Sequence, residues 1–420
     1  MTEFSQLGLG APILNALNAK GYKDPTPIQV RAIPHILAGR DLLGIAATGT
    51  GKTAAFALPM LQRLASATAK PAHGGCRALV LSPTRELAAQ IAESFRAYGK
   101  NLGLRTALIV GGVSAHPQKA ALSRGVDILV ATPGRLLDHL AQGNARLDQA
   151  GILVLDEADH MLDLGFIPAI RKLIRALPKV RQNLFFSATM PPEIATLAGE
   201  ILRNPERVAV TPSATPAERI DQHVMFVDPA RKPGLLADTL RTTDGRALIF
   251  TRTKRGADRV VRGLEGAGIG AAAIHGNKSQ GQRERALAGF RTGRIPILVA
   301  TDIAARGIDV EGINLVVNFD LPHVPETYVH RIGRTARAGA AGTAIAFCTP
   351  DERSLLRDIE TLLRVRIPSR QIGAGEATHS APRPVRIETS RGQQPGQSKR
   401  GGNRRRRRPA FPRHTEQVPA

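Results

Sequence analysis

The sequence predicts an α/β protein with two tandem doubly wound parallel-sheet domains separated by a cleft, followed by a disordered basic tail. Short apolar, β-branched runs recur about every 25 residues with amphipathic stretches between them, which is typical of parallel strands joined by crossover helices. The runs are almost continuously apolar, as expected for strands covered on both faces. A chain of 420 residues is long enough to bury two such cores.

The first domain is predicted over residues 1–208. Its strands are expected at 42–46, 78–81, 106–110, 126–131, 152–155 and 184–187, with helices over 85–98 and 167–177. A stretch rich in Pro, Ser and Thr at 209–217 is predicted to be a linker. The pattern then resumes in a second domain over 218–366, with strands at 224–227, 247–251, 271–274, 297–300, 315–317 and 343–348.

The charge balance points to a polyanionic partner. The chain has 58 Lys and Arg against 35 Asp and Glu, a net charge of +23. Nucleic acid is the first candidate and an anionic membrane surface the second. Residues 367–420 form a separate segment rich in Gly, Pro, Gln and Arg, and residues 369–420 alone hold 12 basic and 3 acidic side chains. Such a composition predicts disorder, because too little apolar surface is available to offset the entropy of folding.

Several classes of protein are excluded by composition. Two cysteines, Cys76 and Cys348, are too few for a disulfide framework or a four-cysteine zinc site. No apolar run reaches the length of about 18 residues that a spanning helix requires, so no membrane association is expected. The first residues lack a basic segment followed by an apolar one, so no signal peptide is expected. We therefore expect a cytoplasmic protein.

A glycine-rich segment follows the first predicted strand and opens a helix. It reads Ala46-Ala47-Thr48-Gly49-Thr50-Gly51-Lys52-Thr53. Glycines let backbone N–H groups turn toward phosphates, Lys52 would reach the β- and γ-phosphates, and the Thr53 hydroxyl would hold Mg²⁺. The generic phosphate loop has Gly where Ala46 stands. The alternative interpretation is a glycine-rich turn in which the Lys-Thr pair occurs by chance and binds no phosphate. The glycines also match the fingerprint of dinucleotide-binding domains. Those domains have an acidic residue about 20 residues later, and this sequence has none there.

An acidic pair closes the strand predicted at 152–155. Asp156 lies where the acid of an ATPase binds Mg²⁺, and Glu157 is placed to accept a proton from the attacking water. A solvated acidic turn after a strand is common by itself, but this one accompanies a phosphate loop in the same domain. The two motifs together predict hydrolysis of ATP with Mg²⁺.

The segment Asp156-Glu157-Ala158-Asp159 resembles the motif that names the DEAD-box ATP-dependent RNA helicases. The resemblance covers residues 4–366, and in detail the chain is most similar to the bacterial RhlE-like subgroup. It implies that both domains are RecA-like. Gly21-Tyr22 and Pro25-Thr26-Pro27-Ile28-Gln29 resemble the Q motif of this family. By this resemblance Gln29 reads the adenine edge, and Phe4 or Tyr22 packs on the adenine face.

Further motifs of the first domain resemble the RNA contacts and the coupling element of the family. The implied RNA contacts are Pro83, Thr84, Arg85, Gly111, Gly112, Thr132, Pro133, Gly134 and Arg135. Ser187-Ala188-Thr189 matches the element that links the state of ATP to strand separation.

The second domain carries the remaining motifs in family order. The implied RNA contacts are Thr253, Gly276, Gln280, Arg283 and Thr301, with Arg306 assigned to coupling and Asp309 to the nucleotide ribose. Arg334 and Arg337 resemble the arginine fingers that neutralise charge on the γ-phosphate. Ala336 stands where the family has Gly, and its methyl group is expected to shift Arg337 slightly.

Together these features predict an ATP-dependent RNA helicase. A phosphate loop in one domain and arginine fingers in the other require cleft closure for hydrolysis, and RNA bound across both domains favours the same closed state. The resemblance implies unwinding of short duplexes and remodelling of RNA–protein complexes, with backbone contacts that do not read sequence. One alternative is a DNA-directed helicase or translocase on the same fold. The other is an ATP-gated RNA clamp with turnover too slow to matter.

RNA is the expected partner, and the basic tail is the candidate for choosing it or raising affinity. A merely solubilising tail is the alternative. The sequence leaves open whether the RNA is a ribosome precursor, a messenger or a structured hairpin, and whether the tail recruits a nuclease. A monomer is expected by resemblance.

Overall fold

A computed structural model describes residues 3–47, 49–67, 69–210, 220–305, 310, 312–336 and 342–370. These residues form two α/β domains, each built on one sheet, with seven strands in the first and six in the second. Every strand pairing in both sheets is parallel. The predicted fold class is therefore confirmed.

The first domain begins with a 3-10 helix at Phe4–Leu7 and has the strand order β3-β4-β2-β5-β6-β1-β7. Its strands are β1 (Leu42–Ala46), β2 (Cys76–Leu81), β3 (Thr106–Ile109), β4 (Val126–Ala131), β5 (Ile152–Leu155), β6 (Gln182–Ser187) and β7 (Glu206–Val210). Its helices are α1 (Ala11–Ala19), α2 (Pro27–Leu37), α3 (Lys52–Ser66), α4 (Arg85–Tyr98), α5 (Ala115–Ser123), α6 (Pro133–Ala141), α7 (Ala158–Asp163), α8 (Ile167–Arg175) and α9 (Pro192–Ile201).

The second domain has the strand order β10-β11-β9-β12-β13-β8. Its strands are β8 (Ile220–Phe226), β9 (Arg246–Phe250), β10 (Ala271–Ile274), β11 (Ile297–Ala300), β12 (Ile313–Asn318) and β13 (Gly342–Cys348). Its helices are α10 (Lys232–Arg241), α11 (Lys254–Gly266), α12 (Gln280–Arg291), α13 (Asp302–Ala305), α14 (Pro325–Ile332) and α15 (Arg353–Leu363).

The central strands are buried on both faces, as their apolar composition predicts. In the first domain every residue of β4, β5 and β6 is buried, and helices pack on each side of the sheet in separate apolar clusters. The second domain repeats this arrangement with two clusters of its own. Crossover helices on both faces leave the carboxyl edge of each sheet open for a binding site.

That carboxyl edge gathers the predicted motifs because the strands end in register. Leu81 pairs with Ala131 of β4 and with Leu155 of β5. The motifs that follow these strands, beginning near Ser82, Thr132 and Asp156, therefore meet at one edge. In the second domain Ala300 pairs with Phe250 and Ile274, so the motifs that follow those strands meet in the same way.

Two predicted boundaries are wrong by a few residues. The run 206–210 forms β7, which pairs with β1 at the sheet edge, so the first two residues of the predicted linker 209–217 belong to the first domain. The second domain extends past 366, because Ile367 is buried and Ser369 bridges to Val224 on the edge strand β8. The rest of the predicted linker and the predicted tail from residue 371 lie outside the described residues.

None of the helices described for these two domains combines the length and the apolar character that a bilayer-crossing helix needs.

Candidate active site

The phosphate loop joins β1 to α3, as predicted. Lys52 is the first residue of α3, its side chain is buried, and its Nζ donates a hydrogen bond of 2.8 Å to the carbonyl of Ala46. The Thr50 hydroxyl donates to the carbonyl of Ala47 at 2.8 Å. A cation at a helix N-terminus that also offers backbone N–H groups is an arrangement that binds phosphate. Thr48 of this loop lies outside the described residues.

Gln29 of the Q motif connects the start of α2 to the phosphate loop through its side-chain amide. Its Oε1 accepts from the N–H of Thr26 at 2.9 Å, and its Nε2 donates to the carbonyl of Gly51 at 3.1 Å. Gly51 has a φ of 90°, and a Cβ there would lie 2.5 Å from Gln29 Nε2. Only glycine meets both the left-handed backbone and this close approach. The adenine readout expected of Gln29 stays a prediction.

The two aromatic candidates for the adenine face occupy different environments. Phe4 is buried in the core of the first domain with only 5% of its surface exposed. Tyr22 is 40% exposed, and its hydroxyl lies 3.3 Å from that of Tyr98. Of the two rings, Tyr22 has the surface that a base could reach without rearrangement of the core.

Asp156 ends β5 as a buried carboxylate. Burial raises its pKa, and the charge of Glu157 adds to this effect, whereas the positive charge of Lys52 opposes it. Its Oδ1 is buried and has no hydrogen-bond partner among the described residues. An orphaned carboxylate oxygen beside a phosphate loop, with the Thr53 hydroxyl on the first turn of α3, fits the oxygen ligands that Mg²⁺ prefers. The residues present are therefore compatible with the predicted ion.

Glu157 stands between β5 and α7 in a left-handed backbone conformation with a φ of 54°. Its Oε2 lies 3.1 Å from Nδ1 of His160, and both side chains are buried. Burial by itself raises the pKa of Glu157, but the His160 hydrogen bond and the positive charges of Lys52 and Arg334 hold it below its usual range. The carboxylate is thereby kept in its charged form.

The acidic motif is tied directly to the predicted coupling element. Oδ2 of Asp159 accepts from the N–H of Thr189 at 2.9 Å and from its hydroxyl at 2.8 Å. The N–H of Asp159 donates to the hydroxyl of Ser187 at 3.1 Å. Three hydrogen bonds therefore join residues 187–189 to the start of α7.

Arg334 of the second domain faces these acids across the cleft. It is buried, and it lines a cavity of about 380 Å³ together with Glu157, Asp159 and His160 of the first domain. Thr189 also lines this cavity, which the second domain closes with Val324, Glu326, Thr327 and His330. Arg334, the predicted arginine finger, and Glu157, the predicted base, thus line the same cavity.

Arg331 anchors α14, the helix that ends two residues before Arg334, a role that the sequence interpretation missed. Its guanidinium donates to both oxygens of Asp302, at 2.5 and 2.8 Å, and to Oδ1 of Asn318 at 2.9 Å. It also donates to the carbonyl of Asp320 at 2.6 Å and lies over the ring of Phe250. The buried guanidinium thus joins the ends of β9 and β12 to α13 and α14.

The RNA candidates of the first domain cluster around Arg85. Its guanidinium lies against Gly112. The φ of Gly112 is 71°, and a Cβ on this residue would lie only 1.8 Å from Arg85 Nη1. Thr84 caps α4 by accepting from Leu87 N–H at 3.3 Å, and Arg135 Nη1 donates to the carbonyl of Val113 at 3.0 Å. Pro133 and Gly134 lie in the first turn of α6 after Thr132, where backbone N–H groups are available to a phosphate.

The RNA candidates of the second domain lie at its sheet edge, and two of them contact the first domain. Arg283 Nη2 forms a buried ion pair with Glu86 Oε2 at 2.8 Å, and Gln280 lies 3.4 Å from Arg85. Thr253 caps α11 by accepting from Gly256 N–H at 3.0 Å, Thr301 directly follows β11, and Gly276 lies two residues after the end of β10. The structure brings both sets of candidates together across the cleft.

Three predicted site residues of the second domain, Arg306, Asp309 and Arg337, lie outside the described residues. Ala336, next to Arg337, has a φ of 53°. This left-handed conformation is costly for any residue with a Cβ, which explains physically why glycine suits the position.

Comparisons with known proteins agree with this geometry. A family model described as DEAD/DEAH box helicase matches residues 26–197, and one described as helicase conserved C-terminal domain matches residues 231–339. ATP-dependent RNA helicase DeaD of Escherichia coli K12 is 46% identical over 377 residues, which cover 89% of this chain and 59% of that protein. ATP-dependent RNA helicase CshA of Limosilactobacillus reuteri is 42% identical, with 87% and 73% covered. The chain thus spans about three fifths of the length of DeaD.

A solved structure shows the same two-domain fold. Saccharomyces cerevisiae Dbp5 bound to RNA and ADP BeF3 superposes with a TM-score of 0.79 at 32% sequence identity. The match covers 88% of this chain and 96% of that one. The RhlE-like subgroup stays a prediction.

The left-handed Ala336 predicts a stabilising substitution. Ala336→Gly relieves the strain but loses a partly buried methyl group, so the free energy of unfolding of the second domain should rise by roughly 0.5–1 kcal/mol. Chemical denaturation of the full chain measures the change. Ala288→Gly, at an exposed position inside α12, is the control and should lower stability instead. A lower free energy of unfolding in both variants would contradict the inference that the backbone at Ala336 is strained.

The Glu86–Arg283 ion pair predicts coupling between the domains. Removing one partner leaves a buried charge, so Glu86→Gln and Arg283→Gln should each shift the chain toward an open cleft, and the double variant should shift it by less than their sum. Energy transfer between dyes on Val180→Cys and Leu362→Cys measures the closed fraction, since Cys76 and Cys348 are buried. The exposed pair Arg171–Glu200, removed in the same way, is the control. Additive effects at residues 86 and 283 would contradict the coupling.

Proposed function

The chain belongs to the DEAD/DEAH box helicase family, and from this premise we propose that it is an ATP-dependent RNA helicase. Closure of the cleft around ATP and RNA permits RNA-stimulated hydrolysis of ATP, and this cycle is coupled to local unwinding of short RNA duplexes and remodelling of RNA–protein complexes. One observation carries the proposal: Glu157 of the first domain and Arg334 of the second line the same cavity. A site divided in this way is complete only when the domains lie together.

The roles of the residues follow from their positions. The backbone N–H groups at the start of α3 and the Lys52 ammonium bind the phosphates of ATP, and Glu157 orients the attacking water and accepts its proton. Arg334 stabilises the charge that develops on the transferring phosphoryl group, an effect worth about 10³–10⁵ in rate for arginine fingers. Arg337 is assigned the same task by sequence alone.

Thr53 and Asp156 would hold Mg²⁺. When bound, the ion neutralises charge on the β- and γ-phosphate oxygens. The buried Asp156 carboxylate with its unpartnered Oδ1 supports this assignment.

RNA binding is proposed at the face where Arg85, Gly112 and Arg135 meet Gln280 and Arg283. Arginine side chains and helix N-termini recognise phosphates and sugars, which positions a strand without reading its sequence. Support comes from the yeast Dbp5 structure, which is described as bound to RNA. Because RNA touching both domains favours closure, RNA and ATP each raise the affinity for the other.

The coupling between these events is proposed to pass through Asp159. Its hydrogen bonds to Ser187 and Thr189 join the coupling element to the acids that face ATP. Ribosome precursors or a nuclease as partners, action as a monomer and a cytoplasmic location are parts of this proposal that rest on the sequence alone.

Replacing the base tests the proposed reaction. Glu157→Gln should lower kcat for ATP hydrolysis by about 10²–10⁴ while leaving ATP affinity nearly unchanged, because an amide cannot accept the proton. Steady-state ATPase assays with single-stranded RNA, and in parallel with DNA, measure the effect. Glu93→Gln, at an exposed position on α4, is the control. Equal stimulation by DNA would favour a DNA-directed enzyme, and negligible turnover with stable RNA retention would favour a clamp.

Truncation after Arg370 tests the proposed contribution of the basic segment. Residues 371–420 hold 11 basic and 3 acidic side chains, so their removal should weaken RNA binding at low salt and leave ATP affinity intact. The log–log salt slope should become shallower by about 0.7 for each RNA phosphate that the segment neutralises. Replacing the five arginines 404–408 by Gln in the full chain should reproduce part of the effect. An unchanged affinity and slope would leave only a solubilising role.

A further inference from the structure

His160, directly after the acidic motif, is a residue to which no sequence motif assigned a task. We propose that His160 is a positioning residue for hydrolysis, which holds the Glu157 carboxylate toward the attacking water. The inference rests on the proposed function, since it concerns the base of that same reaction.

The geometry of Glu157 itself favours a positioning partner. Its left-handed backbone, with a φ of 54°, turns the residue out of α7 instead of letting it continue the helix. The bond from His160 Nδ1 to Glu157 Oε2, at 3.1 Å, fixes the side chain in that position. An ionised carboxylate is only an acceptor, so Nδ1 must carry the proton of this bond. Two carboxylate oxygens offer about four acceptor sites, which is enough to serve both His160 and a water.

The surroundings of the imidazole also favour a positioning role. The imidazole is only 5% exposed, and its Nε2 is buried without a hydrogen-bond partner among the described residues. Leaving a buried polar atom unpaired costs about 1–3 kcal/mol. His160 lines the cavity of about 380 Å³ that also contains Glu157 and Arg334. Since one water occupies about 30 Å³ in the liquid, this cavity has room for an attacking water beside Glu157.

His160 is itself anchored. Its backbone N–H donates to Oδ1 of Asp159 at 3.1 Å, and Oδ2 of the same Asp159 accepts both bonds from Thr189. The backbone at His160 is therefore held by the Asp159 carboxylate, both of whose oxygens accept hydrogen bonds. A continuous path of hydrogen bonds runs from Thr189 through Asp159 and His160 to Glu157, so a change at the coupling element reorients the base.

A purely space-filling role predicts different behaviour. A buried ring that only packs is replaceable by leucine with little effect on the chemical step. A positioning role requires the Nδ1–H donor and acts only through Glu157. A restraining role, in which His160 holds the base away from water, predicts faster hydrolysis once the donor is lost.

The experiment compares His160→Leu, which removes the donor, with His160→Asn, whose Nδ2 places an N–H near the same point. His116→Leu, at an exposed position on α5, is the control. We expect His160→Leu to lower kcat for RNA-stimulated ATP hydrolysis by about 10- to 100-fold, the range seen when a residue that orients a reacting group is lost. KM for ATP and the RNA affinity should change less than about twofold, and His160→Asn should recover most of kcat.

A second comparison in the Glu157→Gln background separates positioning from structure. If His160 acts through Glu157, His160→Leu should lower kcat no further in that background, because effects of residues that act as a unit are not additive. A full additional loss there, an unchanged kcat in His160→Leu alone, or a rise in kcat would each overturn the proposal. A wild-type protein without RNA-stimulated turnover would instead overturn the proposed function, so the two failures are distinguishable.

Discussion

Glu157 and Arg334 belong to different domains, and they line one cavity only while the two domains lie against each other. This constraint governs the rest of the molecule. The first domain supplies a phosphate loop and the acids, and the second supplies a buried guanidinium that Arg331 and its ion pair with Asp302 hold in place. Within the described residues, the groups that we propose to bind the phosphates, activate water and stabilise the developing charge are divided between the two domains.

Among the described residues, the two domains face each other around the cavity and at an ion pair, and we associate these places with ATP and with RNA. At one place Arg334 faces Glu157, and at the other Glu86 of α4 forms an ion pair with Arg283 of α12. The second contact lies among the residues expected to bind RNA. An event that favours closure at one place favours it at the other, since each domain is a packed α/β unit that moves as a body. The hydrogen bonds that join Asp159 to Ser187 and Thr189 are the route that we propose for the same coupling inside the first domain.

The sequence predicted the fold well where local pattern decides structure and less well where distant parts of the chain meet. The apolar runs that became β4, β5 and β6 are buried strands, because a sheet covered on both faces requires continuous apolar residues. The edge strand β7 was missed because only Val208 within it is buried, and the run merges with a stretch rich in Pro, Ser and Thr. The Glu86–Arg283 pair joins residues 197 positions apart, which no local pattern reveals. His160 was missed since a single histidine on a short helix has no sequence signature, whereas Ala336 was noticed because it departs from a family motif.

Because the site is divided between the two domains, binding of ATP should strengthen binding of RNA through Arg334, and binding of RNA should strengthen binding of ATP. The measurement is the affinity for single-stranded RNA with and without a non-hydrolysable ATP analogue, for the wild-type chain and for Arg334→Gln. Arg366→Gln, at an exposed position near the end of the second domain, is the control. The analogue should tighten RNA binding by about 5- to 150-fold in the wild-type chain and in the control, the range of typical coupling energies. In Arg334→Gln this enhancement should be lost while RNA binding without nucleotide stays the same. Full enhancement in Arg334→Gln would contradict the account, because closure around ATP would then not depend on the second domain's arginine.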